Sequence, residues 1–71
     1  MILQKDNWTI ETKETKKLII VNHYKTTESN EKLLMLQQRY KKEDGWDMAI
    51  LKSCINSYIK EDGYKIVSYI Y

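Results

Sequence analysis

Apolar and polar residues alternate in the first part of the chain with the period of two that is typical of β-strands. In residues 7–12 the buried side would carry Trp8, Ile10 and Thr12. Residues 18–25 follow as a second segment rich in β-branched side chains, after a polar stretch that can turn. The pattern predicts an antiparallel hairpin.

From residue 26 the pattern favours a helix. Hydroxyl side chains in residues 26–29 make Ser29 the expected N-cap of a first helix that runs to about Glu43. Gly45 is the expected stop residue. The side chains that would share one face of this helix are Leu33, Leu36, Gln37 and Tyr40, with Leu34 beside them.

A second helix has the clearest pattern in the chain, with Asp47 as its cap and Gly63 as its end. Apolar pairs that recur every four residues trace one continuous stripe on a helix, whereas a strand would place half of each pair in water. The pairs are Ile50 and Leu51, Cys54 and Ile55, and Tyr58 and Ile59. Residues 64–71 alternate again and are predicted as a third strand.

One alternative concerns residues 56–71, because Asp62 followed by Gly63 is also a hairpin signal that would make this segment two paired strands. The six-residue apolar stripe favours the helix. The predicted fold is α+β, a single domain over residues 1–71 with the order β-β-α-α-β. Two helices would pack on one face of a three-stranded antiparallel sheet.

The predicted strands are apolar on both faces, although helices would cover only one of them. A small domain rarely exposes such a patch without using it, so the uncovered face is the predicted surface for a partner or for self-association. The alternative is that residues 1–3 or a bend in the sheet covers this second face. Its expected residues are Ile19, Val21, His23, Val67, Tyr69 and Tyr71.

Composition points to the source of the gene. Lys, Ile, Tyr and Asn account for 30 of the 71 residues, whereas Gly, Ala, Arg and Pro account for four. The first group is encoded by AT-rich codons and the second by GC-rich ones, which indicates an AT-rich bacterium, its phage or a mobile element. The same bias weakens the eleven lysines as a sign of nucleic-acid binding.

Charge and length set further limits. The net charge of +2 is spread along the chain, so no segment stands out as a nucleic-acid-binding region. Cys54 is the only thiol, which fits a reducing cytoplasm, and we expect it to be a packing residue. The longest apolar runs, residues 18–21 and 33–36, are far shorter than the roughly 20 residues that cross a bilayer. We expect a cytoplasmic protein of marginal stability, for which homodimerisation is an option.

Residue counts disfavour enzymatic chemistry. One Cys and one His, separated by 30 residues, do not make a metal site, and neither glycine belongs to a phosphate-binding loop. We therefore expect no metal, no cofactor and no catalytic set. The enzymatic alternative is a metal-free ribonuclease toxin with His23 as general base and Lys25 or a tyrosine stabilising the phosphate.

Another alternative is a DNA-binding regulator of the helix-turn-helix type. The two predicted helices and the short turn at Gly45 have this general layout. Arg39 is the only arginine, which counts against DNA recognition because arginine is the commonest reader of guanine. The expected contacts on the outward face of the second helix are Lys52, Ser53, Asn56, Ser57 and Lys60.

The favoured hypothesis is a non-enzymatic protein that binds and obstructs a host protein or defence complex, as anti-CRISPR inhibitors do. Small size and an AT-rich gene are typical of phage and mobile-element proteins of this kind. Six tyrosines and two tryptophans supply side chains that suit interface anchors.

Overall fold

The computed structural model describes residues 1–68 and shows one antiparallel sheet, one α-helix and a short 3-10 helix. The strands are β1 Ile2–Lys5, β2 Trp8–Glu14, β3 Leu18–Thr26, β4 Lys32–Lys41 and β5 Lys65–Ser68. Their order in the sheet is β4-β3-β2-β1-β5. The 3-10 helix is Lys42–Asp44 and helix α1 is Met48–Asp62. The α+β class is confirmed, but the predicted three strands and two helices are wrong.

Strand β1 was not predicted. A two-residue loop, Asp6 and Asn7, joins it to β2, and Asp6 adopts a positive φ of 53°. Asp and Asn tolerate this conformation and suit tight turns, so the signal was present in the sequence. The first residues do not cover a face of the sheet from outside, because they form a strand between β2 and β5.

The predicted hairpin of β2 and β3 is confirmed. Its turn is held by Thr15, whose backbone N donates to Leu18 O at 2.8 Å and whose hydroxyl accepts from Leu18 N at 3.0 Å. Strand β3 pairs with β2 on one side and with β4 on the other. Both edges of this interior apolar strand are therefore hydrogen-bonded.

Residues 29–43, predicted as a helix, instead contain β4 and the 3-10 helix. Asn30 has a positive φ of 65°, and its N donates to Thr27 O at 3.0 Å. This is the common three-residue hairpin loop, so the hydroxyls interpreted as a helix N-cap belong to a turn. Four successive apolar residues at 33–36 have no period of their own. Residues 32–41 form a strand because they pair with β3, whose backbone groups on this edge would otherwise have no partner strand.

Helix α1 confirms the second predicted helix and rules out the hairpin alternative, because residues 56–62 are helical. The Asp47 side chain accepts a hydrogen bond from Ile50 N at 2.8 Å. Gly63 ends the helix with a φ of 79°, which other residues rarely adopt. The last predicted strand is confirmed as β5 for Lys65–Ser68, and residues 69–71 lie outside the described part of the chain.

Helix α1 packs on one side of the sheet, which we call the covered face. A helix with its side chains is about 10 to 12 Å in diameter, whereas a five-stranded sheet is about 19 Å wide. One helix cannot cover all five strands, and on β4 only Tyr40 is packed, with its ring 4.7 Å from that of Trp46. The buried core consists of Met1, Leu3, Ile10, Ile19, Val21, Leu51 and Ile55.

The apolar stripe of α1 is only partly buried. Leu51 and Ile55 lie in the core, whereas Ile50 is 46% exposed. Cys54 is also exposed, so the expectation that it is a packing residue is wrong. A stripe of adjacent pairs is wider than the helix surface that a single sheet contacts, and its outer margin stays in water.

Candidate interaction surfaces

The residues predicted to bind a partner do not form one surface. Ile19 and Val21 lie in the core beneath α1, with 0% and 2% of their surface exposed. His23 lies on the same covered face, where its ring meets the Tyr58 ring edge-on at a centroid distance of 5.9 Å. The sequence showed that β3 is apolar on both sides but not which side α1 would cover.

Of the other predicted partner residues, Val67 belongs to the opposite edge of the sheet. Val67 on β5 is exposed. Tyr69 and Tyr71 lie outside the described residues, so the structure does not place them. Val67 is separated from β4 by the full width of the sheet.

The side of the sheet without the helix, which we call the open face, is polar at its centre. Gln37 Nε2 donates to Asn22 Oδ1 at 2.8 Å, and Arg39 Nε donates to Gln37 Oε1 at 3.0 Å. Asn22 is 4% exposed, so this network satisfies a side chain removed from water. The open face is therefore mixed, because this polar network lies beside Leu18 and Ile20 of β3, which pair on the same face.

Charge is divided unevenly between the two faces. Residues that pair across strands share a face, and this places five exposed cations on the open face with Glu11 as the only carboxylate there. The paired strand residues of the open face thus sum to +4, and Lys32 Nζ lies 4.0 Å from Glu11 Oε2. The five cations are Lys13, Lys32, Arg39, Lys41 and Lys65.

A depression of about 560 Å³ adjoins the open face where β3 begins and β4 ends. Lys42 Nζ on its wall is bound to Glu14 Oε2 at 2.7 Å. Because that contact balances the charge of Lys42, the remaining charged residues of the depression are three lysines and Glu43, and the depression is positively charged. The lining residues are Lys16, Lys17, Leu18, Lys41, Lys42 and Glu43.

Strand β4 presents an exposed apolar run at the edge of the sheet. The exposed fractions are 48% for Leu33, 52% for Leu34, 54% for Met35 and 51% for Leu36. Among residues 1–68, no strand pairs with the outer side of β4. A long apolar edge strand with unpaired backbone groups is a template for another strand.

Two hydrogen bonds indicate which backbone groups of β4 point outward. Thr27 N donates to Glu31 O at 2.8 Å, and Lys42 N donates to Lys17 O at 3.0 Å, so the carbonyl of residue 31 and the amide of residue 42 point toward β3. Backbone groups alternate between the two sides of a strand, and the register shift opposite His23 and Tyr24 moves the alternation by one residue. The outward groups therefore belong to Lys32, Leu34, Gln37, Arg39 and Lys41.

His23 and Lys25, the residues of the ribonuclease alternative, both have structural contacts. His23 Nε2 lies 3.1 Å from Gln38 Oε1, in addition to its contact with Tyr58. Lys25 Nζ lies 5.6 Å from the centroid of the Trp8 ring. These contacts explain both side chains without a reaction, so the ribonuclease alternative gains no support and stays a prediction.

The helix-turn-helix layout is wrong for this chain, because residues 32–41 form a strand and α1 is the only α-helix among the described residues. The surface predicted for DNA contact exists, since all five of its residues are exposed. They are Lys52, Ser53, Asn56, Ser57 and Lys60. No observation gives this helix face a ligand.

Residues 1–68 contain no group of three or more His, Cys, Asp or Glu side chains that could hold a metal ion. No helix in the same part of the chain is long and apolar enough to cross a membrane. Comparison with protein-family models, curated proteins and solved structures finds no match. The function of the protein has to be inferred from its own surfaces.

Proposed function

We propose that this protein is a binding protein that captures an extended segment of another protein by strand addition to β4. The run 33–36 carries the proposal, because folding alone gives no reason to keep four half-exposed apolar side chains on an edge strand. Edge strands usually avoid such runs to prevent pairing. An added strand would bury these side chains and bond the outward backbone groups of β4.

The two sides of β4 define the chemistry of the partner segment. Leu33 and Leu36 lie on the covered face, where an added strand would need apolar side chains. Lys32, Arg39 and Lys41 lie on the open face, where carboxylates would suit it. The proposed partner segment therefore alternates apolar and acidic residues.

A second copy of this chain fits β4 less well. In an antiparallel pair of copies, a two-fold axis perpendicular to the sheet keeps both open faces on the same side. Each β4 would bring Lys32, Arg39 and Lys41 to that side and no carboxylate of its own. Like charges would then meet across the junction. A different protein is thus the preferred partner, ahead of the homodimer expected from size.

The proposed mode of action is obstruction, since strand addition holds the partner in place without chemistry. The AT-rich composition suggests that the partner is a host protein or defence complex in the cytoplasm of a low-GC bacterium. An anti-CRISPR inhibitor acts in this general way. The described residues supply an edge strand and an apolar run for such a role.

Capture from a low-GC bacterial lysate would test the proposal with immobilised wild-type protein, Leu34→Ala and Leu34→Pro. Alanine shortens the side chain, whereas proline also removes the outward N–H of residue 34. We expect a saturable partner that Leu34→Ala weakens and Leu34→Pro loses. Ile50→Ala is the matched control, because Ile50 is an apolar residue of similar exposure, 46%, on α1.

Hydrogen exchange would locate the contact in the captured complex. The amides of Leu34, Gln37 and Arg39 should exchange more slowly when the partner is bound. A partner that stays bound to folded Leu34→Pro would show that β4 is not the binding strand. Sedimentation of the protein alone tests the homodimer. If the wild type is a dimer and Leu34→Pro is a monomer, the strand that pairs with β4 belongs to a second copy of this chain and not to a different protein.

A further inference from the structure

We propose that the open face is a second binding site, for single-stranded nucleic acid. Its cations would hold the phosphates and its central side chains would contact the bases. This inference goes beyond capture through β4, since it concerns a ligand on the face of the sheet, although three of the five cations, Lys32, Arg39 and Lys41, lie on β4.

The placement of charge is the first support. A codon bias toward lysine would scatter cations over the whole surface, yet the open face holds five cations and only Glu11 as a carboxylate. Of the other nine carboxylates, Glu14 pairs on the covered face, and the rest lie in turns, in the 3-10 helix and in or beside α1. A net charge of +4 on one face of so small a domain is the electrostatic pattern of a polyanion-binding surface.

The centre of the open face supplies groups that contact bases. Tyr24 has a half-buried ring, with Lys32 Nζ lying 5.7 Å from its centroid. Gln37 lies in the neighbouring row of the sheet, is exposed, and carries an amide that can bond to base edges, while the buried Asn22 beneath it accepts its hydrogen bond. An aromatic ring and an amide surrounded by cations are the combination used to bind unpaired nucleotides.

The shape of the face favours a single strand over a duplex. Base readout in a duplex needs a helix or ribbon that enters a groove, whereas the open face is the surface of a sheet with no helix on it. The depression lined by Lys16, Lys17 and Lys41 continues the positive surface beyond the end of β4. A flexible phosphate chain can follow this path across the sheet and into the depression.

Fluorescence anisotropy with labelled oligo-dT and oligo-rU of about 15 nucleotides would test the inference over a series of salt concentrations. Each phosphate contact on a single strand contributes about −0.7 to the slope of log K against log salt, so full use of the five cations gives about −3.5. The double variant Lys13→Gln with Arg39→Gln should reduce the steepness of the slope by about 1.4. It should also lower the affinity at about 20 mM salt by tenfold or more.

The matched control is Lys52→Gln with Lys60→Gln, which removes the same charge from the outer face of α1. We expect its affinity to stay within about twofold of wild type, since phosphate contacts act locally. Tyr24→Leu keeps an apolar side chain but removes the ring, and should weaken binding by about fivefold or more. Thermal unfolding of each variant would confirm that it is folded.

Four results would overturn the inference. They are no binding at about 20 mM salt, equal losses in the two double variants, tighter binding of a duplex than of either single strand, and full displacement of the oligonucleotide by poly-glutamate at equal charge. The second would show a bulk-charge effect, and the last would show a site for any polyanion. Similar affinity for DNA and RNA, or a preference for one of them, supports a site for unpaired nucleotides.

Discussion

The runs 18–21 and 33–36 are both four apolar residues long, yet the structure places them in opposite environments. The first lies in β3, with a strand on each side and α1 above it, and Ile19 is 0% exposed. The second lies in β4 at the edge, and Leu34 is 52% exposed. Position in the sheet, and not local hydrophobicity, decides whether an apolar run becomes core or surface.

Side-chain type separates the two runs more than hydrophobicity does. Residues 18–21 include Ile19, Ile20 and Val21, whose β-branched side chains suit a central strand. Residues 33–36 are all leucine or methionine. These side chains are not branched at Cβ, and they favour helices. A strand built from such residues depends on pairing with β3, and its own conformational preference does not stabilise it.

The largest effect that tests the comparison is the loss of a core side chain. Ile19→Ala should lower the free energy of unfolding by about 2 to 5 kcal/mol, and Leu51→Ala in the facing helix by a similar amount. Leu34→Ala should change it by about 0.5 kcal/mol or less, since the side chain is half in water. Urea unfolding measures all three, and equal costs at residues 19 and 34 would remove the distinction between the runs.

The cap of α1 provides a smaller effect. Asp47→Ala removes the acceptor for Ile50 N and should cost about 1 kcal/mol. Hydrogen exchange should then be faster in residues 18–21, which α1 covers, than in the wild type. The outward amide of Leu34 should change little, because α1 does not protect it. A uniform change over both runs would contradict this division.

A charge placed on the exposed run should have almost no effect on folding. Leu34→Lys should change the free energy of unfolding by about 0.5 kcal/mol or less, because Leu34 is half exposed on the edge. It should also slow aggregation, since charged side chains block edge-to-edge pairing. Light scattering at matched concentrations measures this, and unchanged aggregation would show that β4 is not the reactive edge.

The smallest expected effect concerns Tyr40, which lies at the end of β4 that packs against the core and against Trp46. Burial, with smaller contributions from Tyr58 and Cys54, raises the pKa of Tyr40 above its usual value. A phenol with a raised pKa in the folded state contributes stability that is present below about pH 10 and is lost as the pH rises through the folded pKa. Tyr40→Phe should therefore lose less stability than wild type between neutral and strongly alkaline pH, as urea unfolding at each pH would show.

The candidate surfaces could be predicted only in part. The exposed residues of α1 were found correctly from helical periodicity, because they lie within one element. Asn30 and Asp6 gave turn signals that would have revealed β4 and β1, but neither is followed by the glycine that usually marks a hairpin. The five cations of the open face had no local signal, because they come from three different strands.

The sequence by itself determined the segments whose stabilising contacts are local. Asp47, the apolar stripe and Gly63 define α1, and the turn at Thr15 defines the hairpin of β2 and β3. Only the tertiary structure decided that residues 32–41 form an edge strand, which side of β3 is buried, and that cations spread along the chain share one face. Strand pairing and the position of a helix on a sheet join residues far apart in sequence, so no single segment encodes them.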